Sequence, residues 1–290
     1  MKLRIGTRCS KLALIQAESV KQNLLPYFDQ LDIIKIKTSG DMIKKPLYDC
    51  GGKGLFIKEL ENALINKSID IAVHSMKDIP GFYHQDLDVM PVLKRHSVND
   101  VFISFKYKKL DDLPIKAKIG TCAPRRIAQL RKDLTLIPIR GNIETRLKKA
   151  KELDGIILAK CALERLGIKD LMTQVLSTET MLPAVCQGII AVQFRKNDHE
   201  LAKILDNISD QETNTAATAE RSFLKYINGD CITPLAALAV IKKDTICLKA
   251  MLSYQNLTLF KSISGLQSQA KQMGKSIAKS LIKATNYKAK

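Results

Sequence analysis

The chain has 290 residues, of which 46% are hydrophobic and 26% are charged, and its formal net charge is +18. This composition is that of an ordinary soluble protein and excludes a wholly disordered chain. No apolar run approaches the roughly 18 residues needed to cross a bilayer, and Leu12–Ile15 is too short to be the core of a secretion signal. We therefore expect a cytoplasmic enzyme or binding protein.

Short apolar strands alternate with helical stretches along the first two thirds of the chain. The predicted strands are Leu3–Gly6, Asp32–Lys37, Ile69–His74, Val101–Phe105, Ala117–Gly120, Leu136–Arg140 and Gly155–Ala159, and the predicted helices are Leu12–Leu25, Ile57–Asn66 and Ile143–Glu152. This alternation is typical of α/β domains with largely parallel sheets. Two such units of about 100 residues each leave a cleft between them, where small ligands commonly bind.

The last third of the chain has a different pattern. A long helix is predicted over Thr213–Tyr226, followed by the strands Ala237–Ile241, Thr245–Leu252 and Leu257–Ser262 and a final helix over Gln267–Lys283. Turn-like residues separate the strands. This part is interpreted as a small separate domain that contains an antiparallel three-stranded sheet.

The positive charge is divided unevenly between the two basic residue types. Lysines supply 36 of the 47 basic side chains and are spread widely, as expected of a solvated surface. Five of the 11 arginines lie in one short stretch, namely Arg125, Arg126, Arg131, Arg140 and Arg146. Because a guanidinium group binds carboxylates and phosphates through a planar fork, this clustering is more informative than the total charge.

Nucleic-acid binding is an alternative that the charge raises. The chain has no Trp, only 5% aromatic residues, and no recognised nucleic-acid-binding motif. Metal binding has equally little support, because the seven cysteines contain no C-x-x-C pair and there are only four histidines. We therefore expect no nucleic-acid partner, no metal site and no disulfide framework.

The segment Ile71–Pro80 places an acidic residue where a buried strand ends. Lys77 and Asp78 follow the strand directly and precede Pro80. A carboxylate held partly away from water at a strand end can exchange a proton or stabilise a cation. The alternative is an aspartate that caps or turns the chain, which is the more common role of an isolated Asp.

Two further strand ends lead into arginines. Gly120–Arg126 ends in paired arginines, and Arg140–Arg146 repeats the arrangement around Asn142, which can cap a helix and leave N–H groups near the guanidinium groups. Together these segments indicate a site for a ligand with several negative groups. A solvated basic face is the less favoured interpretation, because lysine supplies the general charge of this chain.

Two loops are open to a functional or an ordinary interpretation. Gly51–Gly54 is rich in glycine without matching a phosphate loop, and it reads as a mobile loop or as a lid over a cleft. Cys231 stands on a tight loop between a helix and a sheet, where an exposed thiol can be a nucleophile or an attachment point.

Taken together, these segments resemble the porphobilinogen deaminase (hydroxymethylbilane synthase) family over nearly the whole chain. The matching motifs are Ile5–Ser10, Thr38–Asp41, Gly51–Phe56, His74–Pro80, Gly120–Arg126, Arg140–Arg146, Leu182–Gly188, Thr218–Arg221 and the Cys231 loop. The resemblance implies a cytoplasmic transferase of tetrapyrrole (haem) biosynthesis. Such an enzyme joins four porphobilinogen units head to tail into linear hydroxymethylbilane, with release of ammonia, and hands this product to the next enzyme of the pathway.

The resemblance also implies roles for particular residues. Asp78 would be catalytic, and Cys231 would hold a dipyrromethane cofactor through a thioether. The residues implied to bind the cofactor are Lys77, Asp78, Thr121, Arg125, Arg126 and Arg146. Those implied to bind the substrate and the growing pyrrole chain are Arg8, Ser10, Lys53, Arg140, Arg146 and Arg165.

The chain departs from the family pattern at three places. Cys122-Ala123-Pro124 stand where the family usually has two serines and a leucine, so an expected cofactor contact from a hydroxyl at Ala123 is absent. Asp230 replaces a usual glycine before the attachment cysteine, and Cys186 replaces a usual glycine in the Pro183–Gly188 segment. These departures affect local geometry and leave the expected reaction class unchanged.

The resemblance further implies a monomer whose fold is α/β. It would have two periplasmic-binding-protein-like α/β domains with a double chain crossover, and a small α+β C-terminal domain. Domain 1 would comprise residues 1–94 with 189–211, domain 2 residues 95–188, and domain 3 residues 212–290, with hinges near 95 and 188. A two-domain receptor that binds without chemistry is the alternative, and the pairing of Asp78 with Cys231 favours the enzyme.

Overall fold

The computed structural model describes residues 2–42, 57–230 and 232–288. The strands are β1 (Lys2–Arg8), β2 (Gln30–Ile36), β3 (Ile71–Ser75), β4 (Leu87–Val92), β5 (Asp100–Ile103), β6 (Lys118–Gly120), β7 (Thr135–Ile137), β8 (Gly155–Ala159), β9 (Gln174–Val175), β10 (Ile190–Arg195), β11 (Leu235–Lys242), β12 (Thr245–Tyr254) and β13 (Leu257–Leu266). The α-helices are α1 (Lys11–Leu24), α2 (Ser39–Met42), α3 (Lys58–Ile65), α4 (Pro124–Ile127), α5 (Ile143–Ala150), α6 (Lys160–Leu166), α7 (His199–Asn207), α8 (Gln211–Ile227) and α9 (Ala270–Thr285). Over these described ranges, no helix has the length and apolar character that a membrane span requires.

The first sheet has the strand order β2-β1-β3-β10-β4. Strand β3 carries a β-branched and apolar sequence that is buried on both faces, as is usual for the centre of an α/β sheet. Helix α1 covers one face by burying Ala17, Val20 and Leu24, and it begins where the Ser10 hydroxyl accepts a hydrogen bond from the Ala13 N–H at 3.3 Å. The carboxyl ends of β1 and β3 therefore open at the same edge of the sheet.

The second sheet has the order β7-β6-β8-β5-β9 and repeats this plan. In each sheet one inner strand runs antiparallel to both of its neighbours, namely β10 in the first sheet and β5 in the second. These are the first strands formed after the chain passes from one sheet to the other. Four of the five described strands in each sheet therefore run in one direction, so the expectation of largely parallel sheets is confirmed, and each crossover delivers the one strand that enters its sheet from the opposite direction.

The third sheet is an antiparallel meander of β11, β12 and β13, covered on one face by α8 and α9. Its apolar core includes Phe223, Leu248 and Ile277. The same cluster contains Met76 and Ile79, which come from the turn that follows β3 of the first sheet. The segment around Asp78 is consequently packed into the core of the C-terminal unit.

Both chain crossovers are bound to helix α8 by one buried carboxylate. Glu220 Oε1 lies 2.6 Å from Arg95 Nη1 on the first crossover, and Glu220 Oε2 accepts a hydrogen bond from the backbone N–H of Cys186 on the second at 2.6 Å. Cys186 adopts a left-handed conformation with φ of 59°, and Gly188 has φ of 91°. The usual glycine at position 186 would favour this conformation more than cysteine does.

The predicted fold class is confirmed by the three sheets and the double crossover. The domain boundaries at 94, 189 and 211 remain a prediction, although membership of the sheets follows the same division. Most predicted elements differ from the structure only at their ends. The strand predicted over Leu136–Arg140 ends at Ile137, and the predictions omitted β4, β9, β10, α2, α4, α6 and α7.

Candidate active site

A cavity of about 380 Å³ lies where the two α/β units and the C-terminal unit meet. Its lining comes from the end of β1, the turn after β3, the segments after β6 and β7, and the residues that follow α8. The cavity is therefore at the carboxyl ends of strands from both sheets, the place at which α/β folds usually bind ligands.

Asp78 is the acidic residue that closes the turn after β3. A single 3₁₀ turn, Met76–Asp78, is completed by a 3.1 Å hydrogen bond from the Ile79 N–H to the Met76 carbonyl. The Asp78 side chain is 36% exposed and lines the cavity, and its Oδ2 lies 4.0 Å from Arg8 Nη1. A carboxylate placed in this way can accept a proton or stabilise a cation inside the cavity.

Lys77 lies beside this carboxylate. Its Nζ donates to Gln187 Oε1 at 3.4 Å. Burial lowers the pKa of the Lys77 ammonium group. The nearby cations Arg125 and Arg126 lower it further, and the Asp78 carboxylate acts in the opposite direction. Lys77 thus brings a cationic donor to the cavity from the same turn as Asp78.

Arg125 and Arg126 share one buried partner that sequence analysis missed. Arg125 Nη1 lies 2.7 Å from Asp100 Oδ2, and Arg126 Nη2 lies 2.8 Å from Asp100 Oδ1. Burial alone would raise the pKa of Asp100, but the two guanidinium groups outweigh burial and hold it well below its usual range. Two cations paired with one anion leave a net positive charge in this wall of the cavity.

Most hydrogen-bond donors of these two arginines are used within the protein. Arg125 Nη1 also donates to the Leu182 carbonyl at 3.1 Å, and Arg126 Nη1 donates to the Ile157 carbonyl at 2.8 Å. Both residues line the cavity but are only 5% and 6% exposed. Their contribution to an anionic ligand is therefore mainly a fixed positive field, with few donors left for direct contact.

Arg140 and Arg146 flank the start of helix α5 and also line the cavity. Arg146 Nε donates to the Gly141 carbonyl at 2.8 Å, and Gly141 has φ of 102°, which glycine adopts without strain. Asn142 is the N-cap residue, and no side-chain hydrogen bond caps the helix. Asn142, Ile143 and Glu144 at the start of α5 thus line the same cavity as the two guanidinium groups, and the N–H groups of a first helical turn are suited to carboxylates.

The other residues assigned by resemblance divide into three groups. Arg8 and Ser10 line the cavity. Thr121 is buried, and its hydroxyl accepts from the Ala123 N–H at 3.2 Å, while Arg165 Nη2 donates to the Gly188 carbonyl at 2.9 Å; neither is among the described residues that line the cavity. Lys53 and Cys231 lie outside the described residues.

Asp230, which replaces the usual glycine before position 231, uses its side chain to bind the residues that follow that position. Its Oδ1 accepts hydrogen bonds from the backbone N–H groups of Ile232 and Thr233, each at 3.1 Å, and from the Thr233 hydroxyl at 2.9 Å. The carboxylate thereby ties together residues on both sides of position 231. Asp230 also lines the cavity, so position 231 follows directly from its wall.

Gln187 is a second residue that sequence analysis did not assign. Its amide Nε2 donates to Asp100 Oδ1 at 2.9 Å, and its Oε1 accepts from Lys77 and Arg125. Only the motif Leu182–Gly188 marked this segment, without a role for the glutamine. No group of three or more side chains suited to a metal ion occurs among residues 2–42, 57–230 and 232–288.

Comparisons with known proteins agree with this geometry. The family model for "Porphobilinogen deaminase, dipyromethane cofactor binding domain" matches residues 3–203, and the model for "Porphobilinogen deaminase, C-terminal domain" matches residues 214–283. The porphobilinogen deaminase of Ehrlichia chaffeensis is 45% identical over 291 residues, covering 97% of this chain and 98% of the relative. That of Syntrophus aciditrophicus is 40% identical over 290 residues, covering 97% and 95%.

Solved structures found by comparison are more distant in sequence. The methionine-binding protein MetQ is 11% identical with a TM-score of 0.46, covering 73% of this chain and 91% of that protein. A periplasmic substrate-binding protein from Coxiella burnetii is 14% identical with a TM-score of 0.45, covering 77% and 97%. The two family models and the relatives that match nearly the whole chain show that this chain belongs to the porphobilinogen deaminase family.

Proposed function

We propose that this chain joins four porphobilinogen molecules head to tail into linear hydroxymethylbilane and releases one ammonia from each. The observation that carries the proposal is the Asp78 carboxylate, which lines a cavity shared with Arg8, Arg140 and Arg146. Membership of the porphobilinogen deaminase family supports the same reaction.

The cationic groups of the cavity suit the substrate. Each porphobilinogen carries an acetate and a propionate, so each added unit brings two negative charges. Arg140, Arg146 and the N–H groups at the start of α5 are proposed to bind these carboxylates by charge-assisted hydrogen bonds. The buried pair Arg125 and Arg126 is proposed to add attraction through its net positive field.

Asp78 is the proposed catalytic residue. When the C–N bond of the protonated aminomethyl group breaks, the electron pair leaves with the nitrogen as ammonia, and the remaining methylene-pyrrole carries positive charge. The Asp78 carboxylate stabilises this charge as it develops. The methylene carbon then forms a C–C bond to the free α-carbon at the end of the chain, and Asp78 is placed to accept the proton which that carbon releases.

The cavity also fits the proposed dipyrromethane cofactor. Its carboxylates match the donors of Lys77 and Arg146, and its pyrrole N–H groups match an acceptor such as Asp78. When bound, the dipyrromethane supplies the pyrrole α-carbon to which the first substrate is joined. Cys231, which follows Asp230 at the cavity wall, is proposed to hold it through a thioether, and water finally releases the four-unit product.

Several broader expectations remain part of the proposal. The monomeric state rests on the family resemblance. The other expectations also rest on the family resemblance. They are a cytoplasmic location, substrate contacts by Lys53 and Arg165, a cofactor contact by Thr121, the three domain ranges, and transfer of the product to a following enzyme.

Incubation of the purified chain with porphobilinogen tests the reaction. We expect ammonia release over many turnovers and, in the intact mass, an addition equal to two linked pyrrole units. A protein that binds porphobilinogen but releases no more than one equivalent of ammonia would be a binding protein and not this enzyme.

A further inference from the structure

Arg221, on helix α8, binds the segment that carries Asp78. Its Nη1 donates to the Ile79 carbonyl at 2.9 Å, and its Nη2 donates to the Pro80 carbonyl at 2.8 Å. The guanidinium carbon also lies 5.8 Å from the centre of the Tyr83 ring. One side chain therefore holds two successive carbonyls directly after Asp78.

The same segment contacts the end of α8 through its backbone. The Gly81 N–H donates to the Gly229 carbonyl at 3.3 Å. A Cβ added at Gly81 would lie 3.2 Å from Lys225 Cα and 3.3 Å from the Leu224 carbonyl oxygen, so the two backbones approach closely. Asp230 follows Gly229, which places the segment 76–81 next to the residues that precede Cys231.

Apolar packing supports these polar contacts. Ile79 is 1% exposed and Met76 is 3% exposed, and both belong to the cluster that contains Phe223 and Leu224 of α8. The turn is also tied to the second crossover and the strand after it, by a 3.0 Å hydrogen bond from the Met76 N–H to the Ile189 carbonyl and a longer one, 3.4 Å, from Lys77 to Gln187. Among the described contacts, the two carbonyls directly after Asp78 are held by α8 and not by the wall that carries Arg125 and Arg126.

We propose that Arg221 is a positioning residue that keeps Asp78 at a fixed separation from the end of α8, where the pyrrole chain is tethered. This inference rests on the proposed function. As the pyrrole chain lengthens, its reacting carbon moves away from the tethered end. If Asp78 stays fixed relative to that end, the wall that carries the arginines must move to accommodate the longer chain. A displacement of Asp78 by up to about 1 Å lowers the rate of the reaction. Substrate binding is unaffected, because this displacement leaves the arginines that bind the substrate in place.

The variants Arg221→Met and Arg221→Lys test this role. In Arg221→Met we expect kcat to fall about 100-fold with KM changed less than about threefold, because the lost interaction orients the catalytic group and does not bind the substrate. The covalent pyrrole mass should be retained. In Arg221→Lys, whose ammonium can replace only part of the two-carbonyl contact, we expect a fall of about tenfold.

The matched control is Arg131→Met. Arg131 Nη2 also donates to a backbone carbonyl, that of Leu113 at 2.8 Å, but this contact joins the connection between β5 and β6 to the one between α4 and β7. We expect its kcat to equal that of the parent. Amide hydrogen exchange should rise at residues 76–81 in Arg221→Met and remain unchanged at 118–120, whereas Arg131→Met should leave 76–81 unchanged.

Unchanged kcat and unchanged exchange at 76–81 in Arg221→Met would overturn the inference while leaving the proposed function intact. If that variant does not fold, Arg221→Lys decides, and a kcat equal to that of the parent overturns the inference. Absence of ammonia release from the parent protein is a different result, since it contradicts the proposed function itself.

Discussion

Arg126 holds Asp100 through two hydrogen bonds, from Nη2 to Oδ1 at 2.8 Å and from Nε to Oδ2 at 3.0 Å. Arg125 contacts the same fully buried carboxylate. Since Asp100 belongs to β5 and the arginines belong to α4, this cluster fixes the segment after β6 against the strand that enters from the first sheet. The position of the cationic cavity wall therefore depends on one anion.

Replacing that anion by a neutral isostere is expected to destabilise the protein. In Asp100→Asn, two buried guanidinium groups lose their counter-charge, and the free energy of unfolding should fall by about 3 kcal/mol or more. Urea denaturation measures the change. Asp133→Asn removes the exposed partner of Arg131 and should change the free energy by less than about 1 kcal/mol. Similar losses in the two variants would contradict a special role for Asp100.

Asp78→Asn is expected to separate folding from catalysis. The amide has the size of the carboxylate but cannot balance the positive charge that develops after ammonia leaves, so kcat should fall by about 100-fold or more while KM changes little. Ammonia release measures kcat, and the thermal midpoint reports folding. Asp170→Asn, on an exposed turn of the second unit, is the matched control and should retain parental kcat. Near-normal turnover in Asp78→Asn would refute the assigned role.

Cys231→Ser is expected to yield protein without the thioether-linked dipyrromethane. An oxygen in place of sulfur is a much poorer nucleophile at neutral pH, so the intact mass should equal that of the polypeptide alone. Cys247→Ser, within β12, provides the comparison and should keep the added mass. Equal added mass in both variants would place the attachment at another residue.

Local sequence patterns predicted many of the strands and helices. The features they did not predict depend on pairing between strands that are distant in the sequence. The buried β-branched run at β3 and the Lys77-Asp78 pair after it were sufficient to place a carboxylate at a strand end. Strand β10 is equally apolar, but its own residues do not indicate that it inserts between β3 and β4. Both of these partner strands precede β10 by 98 or more residues in the sequence. The antiparallel direction of that strand was for this reason not predictable.

In the candidate site, too, some residues could be predicted from local sequence and others depend on partners distant in the sequence. Clustering of scarce arginines directed attention to Arg140 and Arg146, and both line the cavity. It did not distinguish Arg131, which pairs with Asp133 at the surface, from Arg125 and Arg126, which pair with Asp100. The acidic residue just before the apolar run Val101–Phe105 was the available signal for Asp100, since a carboxylate that enters a buried strand requires a cationic partner.

His74 is expected to make stability depend on pH. Burial, with a smaller contribution from nearby Arg8, lowers its pKa from 6.5 to about 4, and the Gln193 side chain acts in the opposite direction. Between pH 6.5 and about 4 the unfolded chain therefore binds a proton that the folded chain does not, and stability falls as the pH falls. Over this range the contribution of His74 amounts to about 3 kcal/mol.

The measurement is the free energy of unfolding from urea denaturation at neutral pH and near pH 4.5, compared between the parent and His74→Gln. Because glutamine does not titrate, the variant should lose less stability on acidification than the parent, by about 2 kcal/mol. The same substitution at the exposed His199, at the start of α7, is the matched control for replacing a histidine by glutamine. An identical loss in the parent and in His74→Gln would show that other groups control the acid sensitivity.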